Sequence, residues 1–142
     1  MSVVSPSRDH LLRRTLYGNA AFSVVSGVIL AMFAGALVRA SVGAVPATVL
    51  GLDFSIVVLA LGLAVLGFGL LCWFIASRAQ MPVMLARIIL WADIGWVLGS
   101  ALLLAVAAPT LTGWGFALII APALVVADIA IFEWLGLRRI AA

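Results

Sequence analysis

The chain has no lysine, a single histidine, a single cysteine and a single tyrosine, and only 9% of its 142 residues are charged. With His10 and Cys72 alone of their kinds, several chemistries are excluded within one chain: a haem held by two histidines, a histidine-rich zinc site, a Cys-x-x-Cys redox pair and an internal disulfide. The basic residues, all eight of them arginines, do not form the clustered, aromatic-interleaved surface of a nucleic-acid binder. Gly67-Phe68-Gly69 follows no strand, so it is not a nucleotide-binding turn. No cofactor or metal ion is expected.

What the chain has instead is apolar surface. Hydrophobic residues make up 67% of it, and its mean hydropathy is +1.37. A soluble domain of this length cannot bury that much, because its ratio of surface to volume is too high. Membrane lipid is the solvent such a chain requires. Crossing the hydrocarbon takes about 20 apolar residues as a helix, and four stretches qualify: residues 17–38, 54–76, 83–107 and 114–137. The reading is a single all-α domain over residues 1–142, a four-transmembrane-helix bundle in up-down-up-down order with short connections.

The boundaries have local causes. Ser5-Pro6 suits a helix start, so the polar segment 7–14 can be helical before the membrane begins. Gly43 and Pro46 break the chain after the first span, and Asp53 can cap the second. Residues 78–82 form a tight turn with Pro82 at the start of the third span, and Thr112 can cap the fourth. The first span is too long for a secretory leader and is followed by three more, so it reads as an anchor despite Arg13-Arg14 before it. Pro122 removes one backbone hydrogen bond and can kink the last helix near Leu118.

Because lipid is as apolar as leucine, helices associate in it through close packing and polar contacts. Small residues recur at four-residue spacing as Ser23, Gly27, Ala31 and Gly35, as Gly95 and Gly99, and as Gly113, Ala117 and Ala121, with Gly62 and Gly69 two turns apart. Packing within one bundle is the expected use of these stripes, with a dimer interface as the alternative.

Asp93, Asp128, Glu133 and Arg87 are the residues that hydrocarbon makes expensive, at about 2.5–3.5 kcal/mol for a central aspartate or arginine. Counting at about 1.5 Å per residue from the expected helix ends, Asp93 and Asp128 share one level and Arg87 and Glu133 another nearer the arginine-rich end. An Asp93–Asp128 pair is therefore expected, holding a proton as in intramembrane relays or fixing helix register. Arg87–Glu133 is expected as a structural pair, and Arg87 can also snorkel. Trp91, Trp96 and Trp134 lie around this zone as indole donors, and Asn19 and Tyr17 can join it from the first helix. Cys72 reads as a packing residue.

Three short motifs add to this: Arg13-Arg14 with Asn19-Ala20-Ala21-Phe22-Ser23, then Asp93 with Trp96-Val97-Leu98-Gly99-Ser100, then Gly136-Leu137-Arg138-Arg139. From Leu12 to Arg139 the chain resembles a group of small bacterial four-helix membrane proteins of no settled activity. The resemblance implies four helices in a bacterial cytoplasmic membrane and gives weight to Asn19, Asp93 and Trp96. The chain lacks the glutamate in its first helix that marks the small multidrug exporters, and the cysteine pair of membrane thiol oxidoreductases. No nucleophile with its base is recognisable, so a non-catalytic protein is expected, a self-associating bundle or an accessory subunit of a larger membrane complex in contact with lipid. The alternative is a small proton- or cation-coupled transporter or channel built on intramembrane aspartates.

Orientation follows from charge. Arg8, Arg13, Arg14, Arg78, Arg87, Arg138 and Arg139 fall on one side of the four spans and Arg39 on the other, which puts both termini, including the polar segment 1–14, in the cytoplasm. Reporter fusions at the two ends should both read cytoplasmic. Opposite readings at the two ends would defeat this topology.

Overall fold

The computed structural model describes residues 9–42, 48–49 and 51–141. Four helices dominate: α1 (His10–Val42), α2 (Phe54–Ser77), α3 (Val83–Ala107) and α4 (Gly113–Ala141). Each is long and apolar enough to cross a membrane. A 3-10 turn, Ala108–Thr110, follows α3, and a two-residue antiparallel ladder, β1 (Thr48–Val49) with β2 (Leu52–Asp53), precedes α2. Gly51 between the two strands has φ 79°, where a side chain would be strained. The expected cap at Ser5-Pro6 and the break at Gly43 and Pro46 lie outside the described residues.

The helix ends show why chain and lipid agree. Asp53 caps α2, accepting from Ser55 N at 2.8 Å and Ser55 Oγ at 2.5 Å. These bonds hold its carboxyl below the usual carboxylate range. The cap therefore contributes above the ordinary carboxylate pKa and is lost as pH falls through the lowered one. At the other end of α2, Arg13 from the first turns of α1 donates to the carbonyls of Ala76 and of Arg78, the latter at 2.7 Å, while its second nitrogen binds Asp9 at 2.7 Å. A cation at a helix C-terminus meets the negative end of the dipole and the unpaired carbonyls together. The polar segment before the first span is thus helical from His10 and ties α1 to α2. Thr112 does the corresponding work at the far end: its Oγ1 donates to Ala40 O at 2.5 Å, its N–H donates to Ser41 O at 2.8 Å, and its Oγ1 accepts from Gly115 N at 3.1 Å. α4 continues through Pro122 without interruption, whereas α1 departs from helical dihedrals at Phe33 (φ −114°, ψ 19°).

Contacts run α1 antiparallel to α2 and to α4. Along α1–α2 the backbones nearly touch: a Cβ on Gly27 would lie 2.5 Å from Leu66 N and 2.8 Å from Gly62 O, and one on Gly62 would lie 2.6 Å from Ala31 N. A Cβ on Gly69 would lie 2.8 Å from Val24 N. Along α1–α4, Gly115 sits against Ser41 and Gly136 against Leu12. α3 packs on α4 and scarcely meets α2. Its buried residues are Ala86, Ile89, Leu90 and Asp93, and none follows Asp93. The shared apolar core, with Leu12, Leu16, Cys72, Ile75, Ala86, Ile89 and Leu137, accordingly fills the end of the bundle that carries the 78–82 turn.

The small-residue stripes divide. Ser23 and Gly27 are buried, with Ala31 and Gly35 half-buried; Gly27 and Ala31 pack against Gly62, Val24 and Ala20 against Gly69, and Gly35 meets only the Arg39 side chain. Gly95, Gly99, Gly113, Ala117 and Ala121 are exposed, so the stripes of α3 and α4 are not used inside this bundle. Gly27→Leu should therefore lower stability by at least about 1–3 kcal/mol through overpacking. Gly95→Ala, with open space around its Cβ, should raise it by up to about 1 kcal/mol through helix propensity. Unfolding in mild detergent, followed by circular dichroism, checks both, and an unchanged profile for Gly27→Leu would show that the α1–α2 approach is not what holds the pair.

Candidate functional site

Four polar side chains from three helices meet where the packed end of the bundle stops. Asn19 and Ser23 come from α1, Asp93 from α3 and Glu133 from α4, and none is more than 5% exposed. Asn19, the chain's only asparagine, makes the junction. Its Nδ2 donates to Asp93 Oδ2 at 2.6 Å and to Glu133 Oε1 at 3.0 Å, and its Oδ1 accepts from Ser23 Oγ at 3.1 Å. Both amide hydrogens and the carbonyl are thereby used, and the amide group lies between two carboxyl groups as their common donor.

Each helix presents its residue for a local reason. Asn19 and Ser23 are one turn apart, so they share a face of α1. α4 buries Val126, Ala130, Glu133 and Leu137, alternating steps of four and three that keep one stripe inward. α3 buries Ala86, Ile89, Leu90 and Asp93 along its own inner stripe.

This arrangement corrects the expected Asp93–Asp128 pair, because Asp128 is exposed on the outside of α4. Two causes act together. Asp128 precedes Glu133 by five residues, about 140° around a helix axis, so only one of the two can face inward. α4 also extends to Ala141 rather than 137, which lifts Asp128 to about 20 Å from that end and leaves Glu133, at about 12 Å, level with Asp93. The expected Arg87–Glu133 pair is corrected on the same grounds. Arg87 lies six residues before Asp93, about 120° round α3, and is exposed. Trp91 and Trp134 are 69% and 48% exposed and stay outside, Trp134 under the guanidinium of Arg138 at 4.8 Å. Tyr17 is half-buried against Trp73, edge to face at 5.2 Å. Ser23 belongs to the site although it was expected only as a packing residue, and its spacing of four from Asn19 was the available signal.

Two polar atoms in this region are buried without partners: Glu133 Oε2 and Trp96 Nε1. Trp96 stands one turn beyond Asp93 on α3 and is itself half-buried. The one ion pair among the described residues is Arg13–Asp9, so no cation faces Asp93 or Glu133. No group of three or more histidine, cysteine or acidic side chains capable of holding a metal is found among the described residues. Two carboxyl groups in hydrocarbon, sharing one amide and lacking a cation, cannot both carry charge cheaply.

No known protein family, curated protein or solved structure matches the chain.

Asn19→Leu removes the common donor and leaves both carboxyl groups buried without it. It should cost about 2–5 kcal/mol of stability, the range for stranding buried polar or charged groups. Ser23→Ala, which removes one hydroxyl bond, should cost about 1 kcal/mol or less. The comparison is made on unfolding profiles in one detergent at neutral pH, and equal effects for the two variants would contradict a junction centred on Asn19.

Proposed function

We propose that this membrane protein is a small proton-coupled transporter or channel in which Asp93 and Glu133 carry the proton and Asn19 holds the pair together. The observation that carries the reading is Glu133: it is fully buried, beside a second carboxyl group, with no cation, and one of its oxygens has no partner. Ionisable groups inside membrane spans mark proton or ion pathways more often than they serve packing alone. A proton shared by the two carboxyl groups satisfies the free oxygen of Glu133 and leaves the pair with a single charge.

The packing supports coupling of that proton to movement. α1 and α2 are locked by backbone contact at Gly27, Gly62 and Gly69, whereas α3 has no buried residue after Asp93 and scarcely touches α2. The seat of α3 on the rest of the bundle thus depends on α4, on Ala86, Ile89 and Leu90 in the shared core, and on the Asn19–Asp93 bond. With the proton present, Asn19 bridges two groups of low total charge. With it removed, two like charges face each other across α3 and α4, which favours their separation and admits water from the less packed half. A site at the border of a packed half and a loosely packed half is the place where such a change opens one side of the membrane and not the other.

Protein in liposomes should show the infrared carbonyl band of a protonated, unhydrated carboxyl group, titrating as pH rises. The band should vanish in Glu133→Gln or Asp93→Asn while the helical circular dichroism is unchanged. Liposomes with an internal pH dye and an imposed potential should take up protons with the native chain and not with Glu133→Gln. Native spectra without such a band, together with uptake unaffected by Glu133→Gln, would reduce the junction to a fastening between helices.

A further inference from the structure

We propose that the outer face of α4 around Asp128 seats a transmembrane helix of a different membrane protein that carries a basic side chain at the depth of Asp128. The inference is independent of the proton site, since Asp128 lies outside the bundle and touches none of its residues' junction. Ala117, Ala121, Leu124, Asp128, Ile131 and Leu135 follow one another at steps of four and three and are all exposed, so they form one straight stripe of the kind that packs against a neighbouring helix. The stripe is apolar apart from Asp128, and its small residues, Ala117 and Ala121, permit the backbone of that neighbour to come close.

The chemistry of the occupant follows from depth. Glu133, Asp93 and Asn19 share a level because one amide bonds both carboxyl groups. Asp128 lies about 7.5 Å from that level toward the Thr112 end. Arg13 and Arg87 each lie six residues, about 9 Å, on the other side of it. Arg39 is 20 residues beyond Asn19, about 30 Å, and so about 22 Å past Asp128. Nothing basic in the described spans comes within about 15 Å of its level. A second copy in the same orientation preserves these depths, so its described spans offer Asp128 no arginine at its level and oppose it with another Asp128 instead. The short aspartate side chain cannot reach the interface from the middle of a span. A basic residue on a foreign helix is the complement that this surface lacks.

The test uses a defined probe, a labelled leucine–alanine transmembrane peptide with one lysine at mid-span, reconstituted in phosphatidylcholine vesicles with the full chain carrying a fluorescent protein at its C-terminus. Energy transfer should exceed that of the same peptide with leucine in place of lysine. Moving the lysine to the peptide's end should abolish the excess, and Asp128→Leu should weaken association by about tenfold, in the range of interhelical polar contacts. Because Asp128 is exposed, the variant should keep its helical signal, and Asp128→Asn, tested beside it, should show intermediate association. Equal transfer from lysine and leucine peptides would overturn the proposal. So would efficient disulfide formation between Ile131→Cys chains in the vesicles, since a second copy would then cover the stripe.

Discussion

A single amide group in hydrocarbon carries the organisation of this protein. Asn19 has two N–H hydrogens and spends them on two different helices, at 2.6 Å to Asp93 and 3.0 Å to Glu133. In water, each of these groups would exchange such bonds for bonds to solvent at little net cost. In lipid that exchange is absent, so three helices are held in one rotational setting by the requirement that these polar atoms meet. Ser23 completes the requirement on the acceptor side of the amide. Rotating α3 or α4 by one residue, about 100°, would turn Asp93 or Glu133 out to lipid. Register and rotation of the bundle are therefore polar properties, whereas Leu12, Leu16, Ile75 and Ile89 fill space between helices and gain contact there, not release from water.

The two halves of the bundle differ because their means of association differ. Backbone approach at glycine needs no partner of special chemistry and holds α1 to α2 along much of their length. α3 has glycines too, but Gly95 and Gly99 face open space, so its attachment falls to the apolar residues before Asp93 and to Asp93 itself. Backbone approach thus fixes α1 and α2 to each other, whereas α3 is held by Ala86, Ile89 and Leu90 and by the one bond from Asn19. This is a physical asymmetry between helices of similar length and composition, and it places the site's chemistry and the least-held helix at the same point.

Much of the fold was legible in the chain because lipid imposes a length. The limits of α3 coincide with those expected, and those of α2 differ by one residue at the C-terminal end, since a proline turn and an acidic cap bound those spans sharply. The outer limits of α1 and α4 were harder. Arginines at 13, 14, 138 and 139 read as the edges of the apolar runs, yet helices continue through them because a guanidinium reaches water, or a helix end, from inside a helical turn. Four additional residues in α4 moved every depth on it by about 6 Å, enough to exchange Glu133 for Asp128 as the neighbour of Asp93. Rotation was less legible still. In a soluble helix the alternation of polar and apolar residues reveals the inner face, but helices that are apolar on every side lack that contrast.

Only the spacing of polar residues with one another retains rotational information in such helices. Asn19 and Ser23 are four apart and share a face, whereas Asp128 and Glu133 are five apart and cannot. An inner carboxyl at Glu133 thus commits α4 to carrying Asp128 outward, near the middle of its span. The cost of a central aspartate in lipid, about 2.5–3.5 kcal/mol, is then left unrelieved by any contact within the bundle. Asn19 relieves that cost on the inside for two carboxyl groups, and the same demand on the outside has no answer among the described residues.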